Sequence, residues 1–464
     1  MVNGELSNND NSPFTIDHKI HHSPFTIDTP PLTMKKYFLL FAILTTAAVS
    51  AQDVEKLISM SEVERIERTL SSDEMEGRRT FTKGIDKAAA FIADEFKKTG
   101  LKTWNNSGSY LQQFAMVRPK FISVTASIGG VSLDSRDVIV VTCQPEINIT
   151  EKSGYEKVKI GAGANLISEA RKLLAANKNY VVIVDTSLAK GFSTLTRIKS
   201  TIFKTDKSIV FILAATDPAS FSVNCKHEIT EMPLANVVGV LPGKSKKDEY
   251  VIFSGHYDHL GVVSKDRNGN VLTDSIFNGA NDDAAGTTAM MVLAQYFKKV
   301  NNNERTLIFA AFTAEEVGGF GATYFSRQFD PAKVMAMFNI EMIGSESKWG
   351  KNSAFITGFE KTDMGKILQA NLTGTDFTFY PDPYTEQNLF YRSDNATLAR
   401  LGVPAHTIST TKIDVDPYYH KATDEFSTID VDNMTRIIRA IALSSRGIVS
   451  GKETPTRVDT SDLR

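Results

Sequence analysis

Residues 250–261 read YVIFSGHYDHLG: an apolar run that ends at Ser254–Gly255 and is followed at once by His256, Asp258 and His259. A strand buried on both faces of a parallel sheet reads as an unbroken apolar run. In an open α/β sheet, ligands gather beyond the carboxyl ends of such strands. Four more runs have the same character: ANVVGVL (235–241), RTLIFAAFT (305–313), KVMAMFNIE (333–341) and VPAHTIS (403–409). Between two of them, AAGTTAMMVLAQYFKKV (284–300) puts Ala289, Val292, Leu293, Tyr296, Phe297 and Val300 on one helical face. Strands alternating with helices predict an α/β domain with a mainly parallel central sheet flanked by helices.

Upstream the texture differs. From Val54 to about Leu101, apolar residues recur at three- and four-residue spacing and Gly100 ends the second helical run. DVIVVT (137–142), YVVIVDT (180–186) and SIVFILA (208–214) are short β-branched runs between turn residues. They predict an inserted, strand-rich subdomain over 118–232, dividing the main domain into 52–117 and 233–450. Residues 451–464 are polar and read as a flexible tail.

The 464 residues, 42% hydrophobic, suffice for one large domain or two unequal ones. A net charge of −2, without a long single-sign run, gives no polyanion-binding surface, so nucleic acid is not expected as a partner. Met34 opens MKKYFLLFAILTTAAVSAQ, with Lys35 and Lys36 before an apolar stretch and Val49-Ser50-Ala51 as a small-residue cleavage site. The stretch is shorter than the roughly 20 apolar residues a membrane-spanning helix needs. Residues 34–51 are therefore read as a signal peptide, with export to the periplasm or the exterior and no lasting membrane insertion. Residues 1–33, which repeat SPFTID, read as an extension outside the native protein. Cys143 and Cys225 could form one disulfide or stay as free thiols; the sequence leaves both open.

The residues just beyond the apolar runs carry the chemistry. His256 and Asp258 follow YVIFSG, Glu315 and Glu316 follow LIFAAFTA, and Glu341 follows VMAMFNI. Asp282 and Asp283 lie in NGANDDAAG before a helix, and His420 lies in the loop after the last strand. One such histidine is usually structural and one Asp-Asp pair is usually a cap. Five segments bringing acids and imidazoles to one sheet edge are different, because clustered carboxylates are costly without a cation. The nitrogen and oxygen mix suits zinc, with cobalt or manganese as possible substitutes.

SGHYDHLG, GANDDAAG, FTAEEVGGFGA, NIEMIG and YYHKATDE, in this order, resemble the metal-binding motifs of the secreted co-catalytic zinc aminopeptidase family, to which glutamate carboxypeptidase and glutaminyl cyclase are distantly related. The likeness covers about 61–117, including MEGRRT (75–80), and 233 to about 450. It implies a dinuclear site in which Asp282 bridges two Zn²⁺ ions, His256 and Glu341 complete one and Glu316 and His420 the other. A single-zinc state is the alternative, since the position of Glu341 is often Asp in the family and the extra methylene changes its reach. Glu315 would be the general base, taking a proton from the attacking water and returning it to the leaving amine. Asp258, two positions from His256, would accept the second imidazole N–H of His256 and fix its tautomer, while His259 would point away and not be a ligand.

The implied function is an exported metallo-exopeptidase that removes N-terminal residues from peptides. A carboxypeptidase or dipeptidase is the alternative, with Arg392 as the obvious group for a terminal carboxylate; a glutaminyl cyclase or an inactive receptor-like homologue is further off. Glu341 or Asp394 could hold the substrate α-ammonium group. Arg392, Ser393 and Asp394 are pocket candidates that could equally cap NATLARLG. HEITE (227–231) starts like a zinc-protease helix motif but has Glu231 where the second histidine is required. His406, inside a strand, reads as a core histidine.

Overall fold

A computed structural model describes residues 51–265 and 269–461; the extension at 1–33 and nearly all of the signal segment fall outside these residues. The principal helices are α1 (Met60–Leu70), α2 (Lys83–Thr99), α3 (Leu166–Ala175), α4 (Ala285–Val300) and α5 (Val431–Ser444). The principal strands, in chain order, are β1 (Leu111–Ile128), β2 (Val138–Val141), β3 (Glu146–Thr150), β4 (Glu156–Ile160), β5 (Tyr180–Val184), β6 (Ile209–Leu213), β7 (Phe221–Leu241), β8 (Lys246–His256), β9 (Arg305–Phe312), β10 (Val334–Ile340), β11 (Ser353–Ile356), β12 (Thr378–Pro381) and β13 (Ala405–Ser409).

The main sheet runs β12-β11-β13-β10-β8-β9-β7-β1. Its centre, β13-β10-β8-β9, is parallel, as the apolar runs predict. Both flanks turn antiparallel, through β7 on one side and the β11–β13 pairing on the other. β11 and β12 are too short, at four residues each, to stand out as apolar runs.

Alternation across the pleat sends Val251 and Phe253 to one face of β8 and Ile252 to the other. On the first face Phe253, Phe309 and Phe338, paired across three strands, stack with near-parallel rings 5.6 and 4.8 Å from Phe253. α1, α2, α4 and α5 cover this face. α4 is consequently buried around almost its whole circumference, well beyond the single apolar face its periodicity shows. At about 25 cal/mol per Å² of apolar area removed from water, this two-sided core is the main stabilising term.

β1 and β7 form one antiparallel ladder that passes Val117–Arg118 and Met232–Pro233 without interruption. The insertion is thus the far end of two long strands. It carries a second sheet, β2-β6-β5-β4, and it also contains helix α3, so it is α/β in character. Cys143 and Cys225 are both free thiols.

The tail is a correction. Arg305 is fully buried and its guanidinium donates to the Ile448 and Glu453 carbonyls, while Thr456 bonds Asp363 and Val458 packs into the core beside Gly402. A buried cation requires acceptors, and the polar tail supplies them, which holds 453–458 in place. Among the described residues no helix is long and apolar enough to cross a membrane.

Candidate metal centre

The parallel strands end level with one another: His256 is opposite Phe312 and Ile340 opposite Ile408. The chain therefore releases His256, the Thr313–Glu316 loop and Glu341 at one edge. Asp282 and Asp283 arrive from the segment before α4, where their non-helical backbone torsions, left-handed Gly279 and a cis Asp282–Asp283 peptide precede the helix.

Asp282 is the hub. Its Oδ1 lies 3.2 Å from His256 Nε2 and its Oδ2 3.2 Å from His420 Nε2. His420 Nε2 is also 3.2 Å from Glu316 Oε2. Glu315 and Glu341 line the same open cleft, with Asp282, Arg392, Tyr419 and His420. All five residues expected as ligands, and the expected base, thus meet at one place.

Burial alone would favour the neutral forms here. Instead, Asp282 and Glu316 push His420 up to about 10, and the imidazoles hold Asp282 well below the usual carboxylate range. Burial, with Glu341 and Asp394 nearby, raises Glu315 well above that range. His256 Nε2, Asp282 Oδ2, Glu316 Oε1 and Glu341 Oε2 are buried, and none makes a directed hydrogen bond. Unpartnered buried polar atoms of this kind, facing one another, are costly. A cation in place of the protons on these groups satisfies them, so the donor set fits zinc.

Two expectations change. His256 Nδ1 lies 3.1 Å from the main-chain oxygen of Asp258 and 3.8 Å from its carboxylate, so the backbone orients this ring. The Asp258 carboxylate works elsewhere: Oδ1 accepts from Glu315 N at 3.0 Å, and Oδ2 from Glu316 N at 3.3 Å and the Thr80 hydroxyl at 3.0 Å. β8 ends at His256, so strand alternation does not extend to Asp258 and His259. His259 accordingly does not turn away. It is fully buried, with Nδ1 2.8 Å from Glu316 Oε1 and 3.8 Å from Asp282 Oδ2, and with Asp282 and Glu316 it forms a group able to hold an ion.

Supporting residues escaped the sequence reading. Asp424 accepts from the backbone N–H groups of Asn281 and Asp282, and Asp283 accepts from those of His256, Gly286 and Met342. Buried Arg78, within the MEGRRT stretch, donates to the carbonyls of Tyr257, Leu70, Asn278 and Gly279 and ties the N-terminal segment to the site. Acidic residues flanking the ligands were the available signal for Asp283 and Asp424. Ser393 and Arg392 line the cleft; Asp394 is buried behind it and, pushed up to about 8 by burial, makes no capping bond. His406 is a satisfied core histidine, bonded to Thr357 O and Thr362 Oγ1 at 2.8 Å each, and His227 sits in strand β7.

Residues 236–444 match the family model of Peptidase family M28. Over 114 residues, 24% of this chain, the sequence is 32% identical to a Pyrenophora teres protein named "Probable zinc metalloprotease", and the match spans 23% of that relative's length. It is 21% identical over 212 residues to aminopeptidase YwaD of Bacillus subtilis, covering 44% of this chain and 42% of that one. In fold, a solved zinc aminopeptidase from Bacillus subtilis is similar with a TM-score of 0.50 over 84% of this chain and 95% of its own, at 16% identity.

Proposed function

We propose that this chain, whose residues 236–444 match the family model of Peptidase family M28, is an exported zinc-dependent aminopeptidase with Glu315 as general base. The observation that carries this reading is the convergence of unpartnered atoms of His256, Asp282, Glu316 and Glu341, with His420 beside them, around an open cleft next to Glu315. Bound zinc supplies Lewis acidity toward a carbonyl oxygen and lowers the pKa of an attacking water. Asp282 offers one oxygen to each side and is the residue able to serve two ions; His256 and Glu341 belong to one side, Glu316 and His420 to the other.

Glu315 carries the proton. Its raised pKa makes it a competent acceptor whose conjugate acid can pass the proton on to a leaving amine. Asp258 fixes the backbone of Glu315 and Glu316 together, so base and ligand are positioned by one carboxylate. Glu341 lines the cleft and is the acid available to a substrate α-ammonium group; Asp394 lies behind the lining and is less suited to that role. Export rests on the signal-like sequence at 34–51.

A second reading has one observation in its favour. Arg392 is exposed, lines the cleft and, among the described residues, hydrogen-bonds Gln387, so it could hold the carboxylate of a dipeptide or a C-terminal residue. A panel of free, N-acetylated and C-terminally amidated peptides separates the two: an aminopeptidase cleaves free and amidated peptides and spares acetylated ones. Chelation abolishes turnover and zinc restores it. Glu315→Gln lowers kcat by about 10²–10⁴-fold while zinc content is unchanged. Equal cleavage of acetylated and free peptides rejects the aminopeptidase assignment.

A further inference from the structure

His259 is the one imidazole at the centre that the five-ligand arrangement leaves without a task. It is completely buried, and neither ring nitrogen makes a directed hydrogen bond. Its Nδ1 approaches the two carboxylates that His420 approaches. Glu316 presents Oε1 to His259 at 2.8 Å and Oε2 to His420 at 3.2 Å, while Asp282 Oδ2 lies 3.8 Å from His259 Nδ1 and 3.2 Å from His420 Nε2. The ring is also fixed in place. A Cβ at Gly279 would fall 2.5 Å from two of its carbons, so the loop before α4 packs directly against the imidazole.

The geometry points to His259 as a further protein ligand of the metal position served by Asp282, Glu316 and His420. This inference rests on the zinc reading above. It makes the two halves of the centre chemically unequal. One has four protein donors, two imidazole nitrogens and two carboxylates, the number that closes a tetrahedral zinc site. The other has His256, Asp282 and Glu341, three donors, the number that leaves a position open to water or substrate. The four-donor position would hold its ion more tightly and exchange it more slowly, and the three-donor position would face the cleft.

The alternative is that His259 Nδ1–H merely donates to Glu316 and positions it. His259→Asn separates the two, because its side-chain amide can donate from a point close to Nδ1 yet is a poor zinc ligand. The experiment is a zinc titration of the metal-free full chain, followed by the visible absorption of the cobalt-loaded protein, for wild type, His259→Asn and His259→Ala. Wild type is expected to bind two equivalents of unequal affinity. Both variants are expected to lose the tight equivalent, with affinity reduced tenfold or more, and to show a changed cobalt spectrum. Wild-type affinity and spectrum in His259→Asn would overturn the assignment while leaving the zinc reading intact. A wild-type protein that binds no metal would overturn both.

Discussion

Asp258 shows how much of the site rests on one buried side chain. Its two oxygens take the backbone N–H groups of Glu315 and Glu316, and Thr80 adds a third donor from the N-terminal segment. In Asp258→Asn, an amide N–H₂ would face a main-chain N–H in place of a carboxylate oxygen. Leaving that donor unsatisfied costs about 1–3 kcal/mol. The proposed base and one proposed ligand share the loop, so kcat should fall about 10–100-fold, the usual loss when a group that orients a metal site is removed. Thermal denaturation and steady-state kinetics of this variant check both figures; wild-type values in both would mean that the loop holds itself in place. The sequence revealed Asp258 as important through its position beside His256. It could not reveal which donors the carboxylate would find, since Glu315 lies 57 residues away in the chain.

Where β8 meets the start of α4, two glycines allow strand and helix to touch. A Cβ on Gly255 would fall 2.8 Å from the backbone of Gly286 and Thr287, and one on Gly286 would overlap Ile340 O and both oxygens of Asp283. These neighbours belong to the centre: Ile340 precedes Glu341, and Asp283 holds the His256 backbone. Gly286→Ala should therefore cost about 1–3 kcal/mol as an overpacked contact and should also weaken zinc binding. Denaturation with and without saturating zinc measures both effects; a stable variant with normal affinity would show that the joint yields without disturbing the ligands. At this scale the sequence was informative about the apolar strands, whose burial on both faces needs no partner to be named. It was less informative about α4, because three further helices bury the sides that its own periodicity left polar or neutral.

Across the whole molecule, Glu67 ties α1 to α4 by accepting from the Thr288 hydroxyl, and it lies near buried Arg78. Burial pushes its carboxyl up to about 8 from an ordinary value of 4.5, against the opposing effects of Thr288 and Arg78. Between those two pH values the folded chain keeps a proton that the unfolded chain has lost, so stability falls as pH rises through this window. Its contribution is fully present below 4.5 and gone above about 8. Glu67→Gln removes this titration. Relative to wild type, the variant should gain on the order of 1–3 kcal/mol at pH 8 compared with pH 4.5, the usual cost of a buried unsatisfied polar group. Chemical denaturation at the two pH values tests this; a stability difference that does not change with pH would mean that Glu67 is ionised in the native state.

The layered α/β architecture, the parallel centre of the sheet and the five segments that end at one edge were all legible in the chain before folding. They are properties of apolar runs and of the residues directly after them, and such patterns are local. Four features needed the folded chain: the strand-rich insertion continues β1 and β7, the tail satisfies Arg305, Asp258 serves Glu315 and Glu316, and His259 faces Glu316. In each case the deciding partner lies far away along the chain or just past the end of a strand. There side-chain alternation no longer applies, and the direction of a residue is set by which buried donor or acceptor it must satisfy.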